Sequence, residues 1–85
     1  MTSREVRITK TILDVLHNVD GSQLTEALIH GEAQIVALEK ITLAEIKSGI
    51  ELCESRKWVT GIKSKYSGYL YNITDAGEAA RLEMR

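Results

Sequence analysis

Apolar and polar positions along this chain recur with two periods, one of three to four residues and one of two. Ile8, Ile12, Val15, Leu16 and Val19 trace a single stripe on a helix predicted over Ser3 to Asn18. Thr2 stands where its N-cap belongs, and Glu5 follows three residues later. This first helix is expected to supply one wall of the core. Asp20-Gly21 signals a turn, and Ser22 is placed to cap a second helix over Gln23 to Leu38. Leu24, Leu28, Ile35 and Leu38 fall on one face of that helix, while Ile29, Ala33 and Val36 fall on another. The apolar arc is wider than a helix lying on one neighbour needs. The helix is therefore either buried on two sides, or broken at His30-Gly31, or equipped for self-association. If Ile29 and Val36 are exposed, the last reading predicts a dimer through this helix.

The stretch from Ile41 to Gly77 carries the strongest pattern. Thr42 and Glu45 form a T-x-x-E capping box for a third helix over Leu43 to Arg56. Leu43, Ile46, Ile50, Cys53 and the stem of Lys57 point inward on a 100° plot, with Gly49 and Leu52 on the shoulder. Ala44, Lys47, Ser48, Glu51 and Ser55 point outward. The period then shifts towards two. A strand is predicted from Trp58-Val59 through Ile62, a polar turn over Lys63 to Gly68, and a returning strand over Tyr69 to Ile73. Lys63 and Lys65 alternate onto one face of the outgoing arm, with Tyr66 and Ser67 at its tip. Thr74 caps a short last helix, with Asp75 and Glu78 in its first turn, and the brevity of that helix favours docking on the first one.

A capped helix, a two-stranded hairpin and then Ile73-Thr74-Asp75-Ala76-Gly77 resembles the winged helix-turn-helix family. Many prokaryotic and viral winged-helix regulators close the wing with an aliphatic-Thr-x-x-Gly sequence, and Arg56-Lys57-Trp58-Val59 matches the charged helix end that precedes their wing. The resemblance covers nearly the whole chain. It implies a mainly helical α+β fold: a three-helix core, a two-stranded β-hairpin wing and a short C-terminal helix. It also places the third helix in the position of a recognition helix and implies double-stranded DNA as partner. The same fold hosts pure protein-binding modules, so fold alone does not select between the two.

Composition narrows the classes. Eighty-five residues suit one domain with one modest core. The single cysteine, Cys53, forms no internal disulfide and fits a reducing cytoplasm. No apolar run approaches the length of a membrane span, and no signal-peptide pattern opens the chain, so no membrane partner is expected. Net charge is −1, which by itself does not announce a nucleic-acid binder. Its distribution says more. Residues 20–55 carry Lys40 and Lys47 against Asp20, Glu26, Glu32, Glu39, Glu45, Glu51 and Glu54, a net of −5. Residues 56–73 carry Arg56, Lys57, Lys63 and Lys65 with no acid, a net of +4. Positive potential is therefore predicted on the hairpin and the helix end that feeds it.

His17, His30 and Cys53 have no zinc-site spacing, and neither a phosphate-binding glycine motif nor clustered carboxylates occur. Asp14 and His17, one helical turn apart, read as a surface pair. A non-enzyme without cofactor is expected. The candidate DNA contacts are Ala44, Lys47 and Ser48 on the third helix, Arg56 and Lys57 at its end, and Lys63, Lys65 and Tyr66 on the wing. Of the third helix's outward side chains only Lys47 belongs to the types that most often read base edges, so the wing is expected to lead. Lysines interleaved with tyrosine hydroxyls suit a phosphate backbone, whereas a solvated hairpin with packed tyrosines is the alternative. Regulation of transcription by DNA binding, with a possible homodimer, is one function. The other is a protein-interaction or dimerisation module without DNA binding.

Overall fold

A computed structural model describes residues 2–19, 23–66 and 68–84. The elements run α1 (Ser3–Asn18), α2 (Glu26–Ala37), α3 (Leu43–Ser55), β1 (Val59–Ser64), β2 (Gly68–Ile73) and α4 (Asp75–Glu83). Every helix begins at a threonine. Thr2 and Thr42 close full capping boxes, in which each hydroxyl accepts an N–H from Glu5 or Glu45 at 3.1 Å and the glutamate accepts the threonine's own N–H. Thr25 and Thr74 accept from Leu28 and Gly77 at 3.3 and 3.0 Å. The starts of α1, α3 and α4 are those predicted.

Rather than one wall, α1 is the centre of the core. It packs against α2, α3, α4 and β2, and Ile8, Ile12, Leu13, Val15 and Leu16 are all buried. Thr9 and Thr11 are buried too. Each satisfies its hydroxyl by donating to the carbonyl one turn back, Glu5 and Arg7, at 2.7 Å. Ile46, Ile50 and Cys53 close the core from α3. Ile41, preceding the α3 cap, lies 1 % exposed beside Ile46, as a staple requires. Val59, Tyr71 and Ala80 complete it.

Four expectations change. First, α2 starts at Glu26, not Gln23. Leu24 is instead drawn into an antiparallel bridge with Tyr71, exchanging N–H···O bonds of 3.2 and 2.8 Å. The proposed cap Ser22, like Asp20-Gly21 and Ser67, lies outside the described residues. Second, α2 is one unbroken helix whose core face is Ile29 and Ala33, while Leu28, Ile35, Val36 and Leu38 are exposed. The condition set for a dimer through Ile29 and Val36 therefore fails at Ile29. Third, Leu43 is about half exposed and Lys57 faces solvent, because the backbone turns left-handed at Lys57 (φ 62°) and carries its stem off the helical face. Fourth, Asp14 and His17 do not pair. Asp14 binds Lys10 and Arg81, and His17 Nδ1 donates to Glu78 at 2.8 Å, which ties α4 onto α1.

The joint between α2 and α3 is tight. Leu38 takes a left-handed conformation (φ 55°) at the end of α2. Both backbone groups of Ile41 are then satisfied by α2 side chains: Gln34 Oε1 accepts its N–H at 3.2 Å, and His30 Nε2 donates to its carbonyl at 2.6 Å. A carbonyl only accepts, so the His30 proton must be on Nε2.

Candidate nucleic-acid interface

The hairpin pairs Val59 with Ile73 through Ser64 with Gly68. Both arms are longer than predicted, reaching Ser64 and starting at Gly68, and among the described residues Lys65 and Tyr66 form the turn. Gly68 takes a positive φ of 73° where β2 resumes. Directly opposed residues share a face. Lys63 thus stands beside Tyr69, on the same side as Gly61 and Tyr71. Tyr69 and Tyr71 stack at 6.3 Å between ring centroids. Tyr71 is buried, and that burial, reinforced by Glu54 and Glu26, pushes its phenol above the usual range. It anchors the wing to the core and is no DNA contact. Tyr69 is half exposed. Lys65 lies in the turn beyond β1, so it does not alternate with Lys63 along the strand as expected. Its ammonium instead sits 5.6 Å from the centroid of Tyr66, itself fully out in solvent at 88 %.

At the other end of the wing, Arg56 caps α3 and lays its guanidinium 5.3 Å from the centroid of the Trp58 ring. Trp58 is half-buried against the core, and it precedes β1 rather than opening it. Thr74 holds the two ends of the wing together. Its N–H donates to the Trp58 carbonyl at 2.9 Å, and its hydroxyl reaches the Lys57 and Trp58 carbonyls at 2.7 and 3.0 Å. The same oxygen accepts the Gly77 N–H. A side chain at Gly77 would run into the Trp58 carbonyl. The Ile-Thr-Asp-Ala-Gly motif is therefore a latch, with threonine for the bonds and glycine for the approach.

Ala44, Lys47 and Ser48 are exposed on α3 as expected. Ala44 and Ser48, with Leu52 and Arg56, form one side of an open groove of about 580 Å3, and Thr2, Arg4, Glu5, Ile8 and Thr9 of α1 form the other. Lys47 lies outside it. Of the predicted residues, Ala44, Ser48 and Arg56 lie along the groove and Lys63, Lys65 and Tyr66 on the wing, while Lys47 on α3 and Lys57 at the root of the wing are exposed outside both groups.

Arg4 was not singled out from sequence, yet it changes the electrostatics of α3. Its Nε donates to Glu45 at 2.6 Å, and its Nη atoms donate to Glu39 at 2.9 Å, to Glu45 at 3.1 Å and to the Lys40 carbonyl at 3.2 Å. The hydrogen bond from Arg4 and the cap bonds from Thr42 pull the Glu45 carboxyl down to about 2. Arg7 also reaches Glu39 at 3.5 Å, so two arginines together offset Glu39 and Glu45, two of the acids that would repel phosphate beside α3. No local pattern reveals this, since Arg4 and Glu45 lie 41 positions apart.

Among the described residues no group of three or more His, Cys, Asp or Glu side chains has a metal-holding arrangement, and no helix is long and apolar enough to cross a membrane. No protein-family model and no curated protein matches the sequence. Two solved structures do match in shape. RosR of H. salinarum, from crystals grown from NaBr, has a TM-score of 0.76 at 17 % identity, over 98 % of this chain and 69 % of that one. A complex structure of hsRosR-S1 gives 0.75 at 17 %, over 98 % and 68 %. At that identity the likeness speaks for architecture alone, and the architecture is plain: this chain has the winged-helix fold, a three-helix core with a two-stranded wing and a short C-terminal helix.

Proposed function

We propose that this protein is a DNA-binding winged-helix regulator of transcription whose wing makes the leading contacts with the phosphate backbone. One observation carries the reading. Among the described residues, Arg4, Arg7, Lys10 and Arg81 of α1 and α4 are all tied up in salt bridges, whereas Arg56, Lys57, Lys63 and Lys65 are exposed and in none. The cations left over for an external anion are those of the wing and its root, together with Lys40 before the start of α3 and Lys47 on its exposed face. A phosphate backbone is the anion that a projecting basic hairpin fits. The winged-helix architecture shared with RosR at 17 % identity is in keeping with the same reading. The chemistry is binding alone, with neither catalysis nor cofactor, in the cytoplasm. A mobility shift on random-sequence duplex at low salt tests it: the wild-type chain retards the duplex, and heparin or added salt releases it.

A second reading is favoured by the groove between α1 and α3. Its floor includes Ile8, Gly49 and Leu52, and its rim includes the paired Arg4–Glu45. Such a trough suits an apolar segment of another protein better than a phosphate. A wild-type chain that leaves the duplex unretarded at low salt decides for this protein-interaction reading.

A further inference from the structure

We propose that a second copy of this chain packs across the outward face of α2, the two helices crossing antiparallel at Gly31. That face is unusual for a surface helix. Its exposed residues are Ala27, Leu28, Gly31, Glu32, Ile35 and Val36, and only Glu32 carries a charge. Leu28 is 54 % exposed, Ile35 67 %, Val36 44 % and Leu38, just past the helix, 89 %.

Gly31 is the independent observation. Glycine weakens a helix interior, so its presence there calls for a steric or conformational reason. Within the chain neither applies: a Cβ at Gly31 would meet nothing within 4 Å, and its φ is not positive. A close approach from outside the chain supplies the reason. An antiparallel two-fold centred between Gly31 and Glu32 sets Leu28 against Ile35 of the other copy and Gly31 against Glu32 of the other copy. Large side chains meet each other at the ends. At the crossing, each Glu32 stem lies over a residue with no side chain and carries its carboxylate out to the rim.

The area argues for a like partner. The four aliphatic side chains together expose on the order of 400 Å2, while a standard interface buries about 800 Å2 per partner, a little over half of it apolar. They supply most of the apolar centre of such an interface. A lipid surface is a poor occupant, because an interfacial helix carries Lys and Arg on its flanks and the acids and bases of α2 are Glu26 and Glu32 alone, beside the half-buried His30. Nucleic acid is excluded by the same acids.

Sedimentation equilibrium in the absence of DNA tests the proposal independently of the DNA reading. The wild-type chain is expected at twice its 9.5 kDa mass at micromolar concentration. Ile35→Glu and Gly31→Gln each weaken the dimer by about tenfold or more, while Ile62→Glu, on the exposed outer face of the wing, leaves it intact. Thermal melts of the variants at high dilution check folding. Gly31→Gln must melt no lower than wild type, since its side chain enters open space. A wild-type monomer at high micromolar concentration overturns the proposal. So does a dimer that withstands both α2 variants, or one that Ile62→Glu dissociates.

Discussion

At the scale of single residues, Gly77 and Glu45 carry the sharpest consequences. A Cβ at Gly77 would collide with the Trp58 carbonyl and press on Ile73 at 2.8 Å, and a carbonyl held by Thr74 has nowhere to move. Gly77→Ala should therefore cost about 1–3 kcal/mol, the usual penalty for forcing atoms into packed space. Gly49→Ala meets chiefly the mobile tip of Ile12 and gains helix propensity, so its denaturation midpoint should fall less. Equal midpoints for the two variants would contradict the latch. Glu45 acts through pH. Its carboxyl titrates near 2 in the folded chain, down from 4.5, chiefly because Arg4 donates to it. The stability it contributes is full above pH 4.5 and fades as pH falls towards 2. The wild-type melting temperature should therefore drop more steeply across that window than that of Glu45→Gln, which keeps the cap bond but not the charge. Parallel curves would show that the Arg4 pair contributes nothing. These residues differ in how far sequence discloses them. The capping boxes are legible because both partners lie within one turn, as is the glycine of the motif. Arg4 is silent, because only the folded chain brings α1 to the start of α3.

At the scale of elements, local pattern was sufficient wherever one neighbour decides the outcome, and failed where two compete. Helix α3 shows the first case. Its box at Thr42 and Glu45 and its inward Ile46, Ile50 and Cys53 are all read from spacing. Thr42→Ala should cost about 1 kcal/mol by removing the acceptor for the Glu45 N–H. Thr42→Ser, which keeps the oxygen, should recover most of it in the same urea titration. Helix α2 shows the second case. Residues 23–25 fit a helical pattern, but Leu24 has a better use in pairing with Tyr71, a contact between segments that no window along the chain contains. Both faces of α2 are apolar, so periodicity does not say which is core. Packing under α1 selects Ile29 and Ala33 and leaves Leu28 and Ile35 outside. The left-handed residues Leu38 and Lys57 were missed for a related reason: glycine or asparagine signals that conformation, and neither is present.

At the scale of the whole molecule, the question is what an almost neutral chain can do with its charge. The segregation into an acidic middle and a basic wing is legible in sequence, but which bases are already spent on internal acids is not. Among the described residues, folding commits Arg4, Arg7, Lys10 and Arg81 to carboxylates and leaves Arg56, Lys57, Lys63 and Lys65 of the wing and its root, besides Lys40 and Lys47, in no salt bridge. If those four neutralise four phosphates, the log–log dependence of duplex affinity on salt has a slope of at most about −3.6 per protomer, since each contact contributes roughly −0.9. A monomer of that kind binds weakly at physiological salt, and two wings on one duplex bind far more tightly because the second contact is intramolecular. Lys63→Ala with Lys65→Ala should therefore remove most of the binding and make the salt slope shallower by about 1.8, twice the single-contact value. Lys47→Ala, on the exposed face of α3, should change the slope by no more than about 0.9 and act chiefly on sequence preference. The opposite ranking, with Lys47 dominant, would make α3 the reading helix in spite of Glu51 and Glu54, and the wing a solvated hairpin held only by its tyrosines.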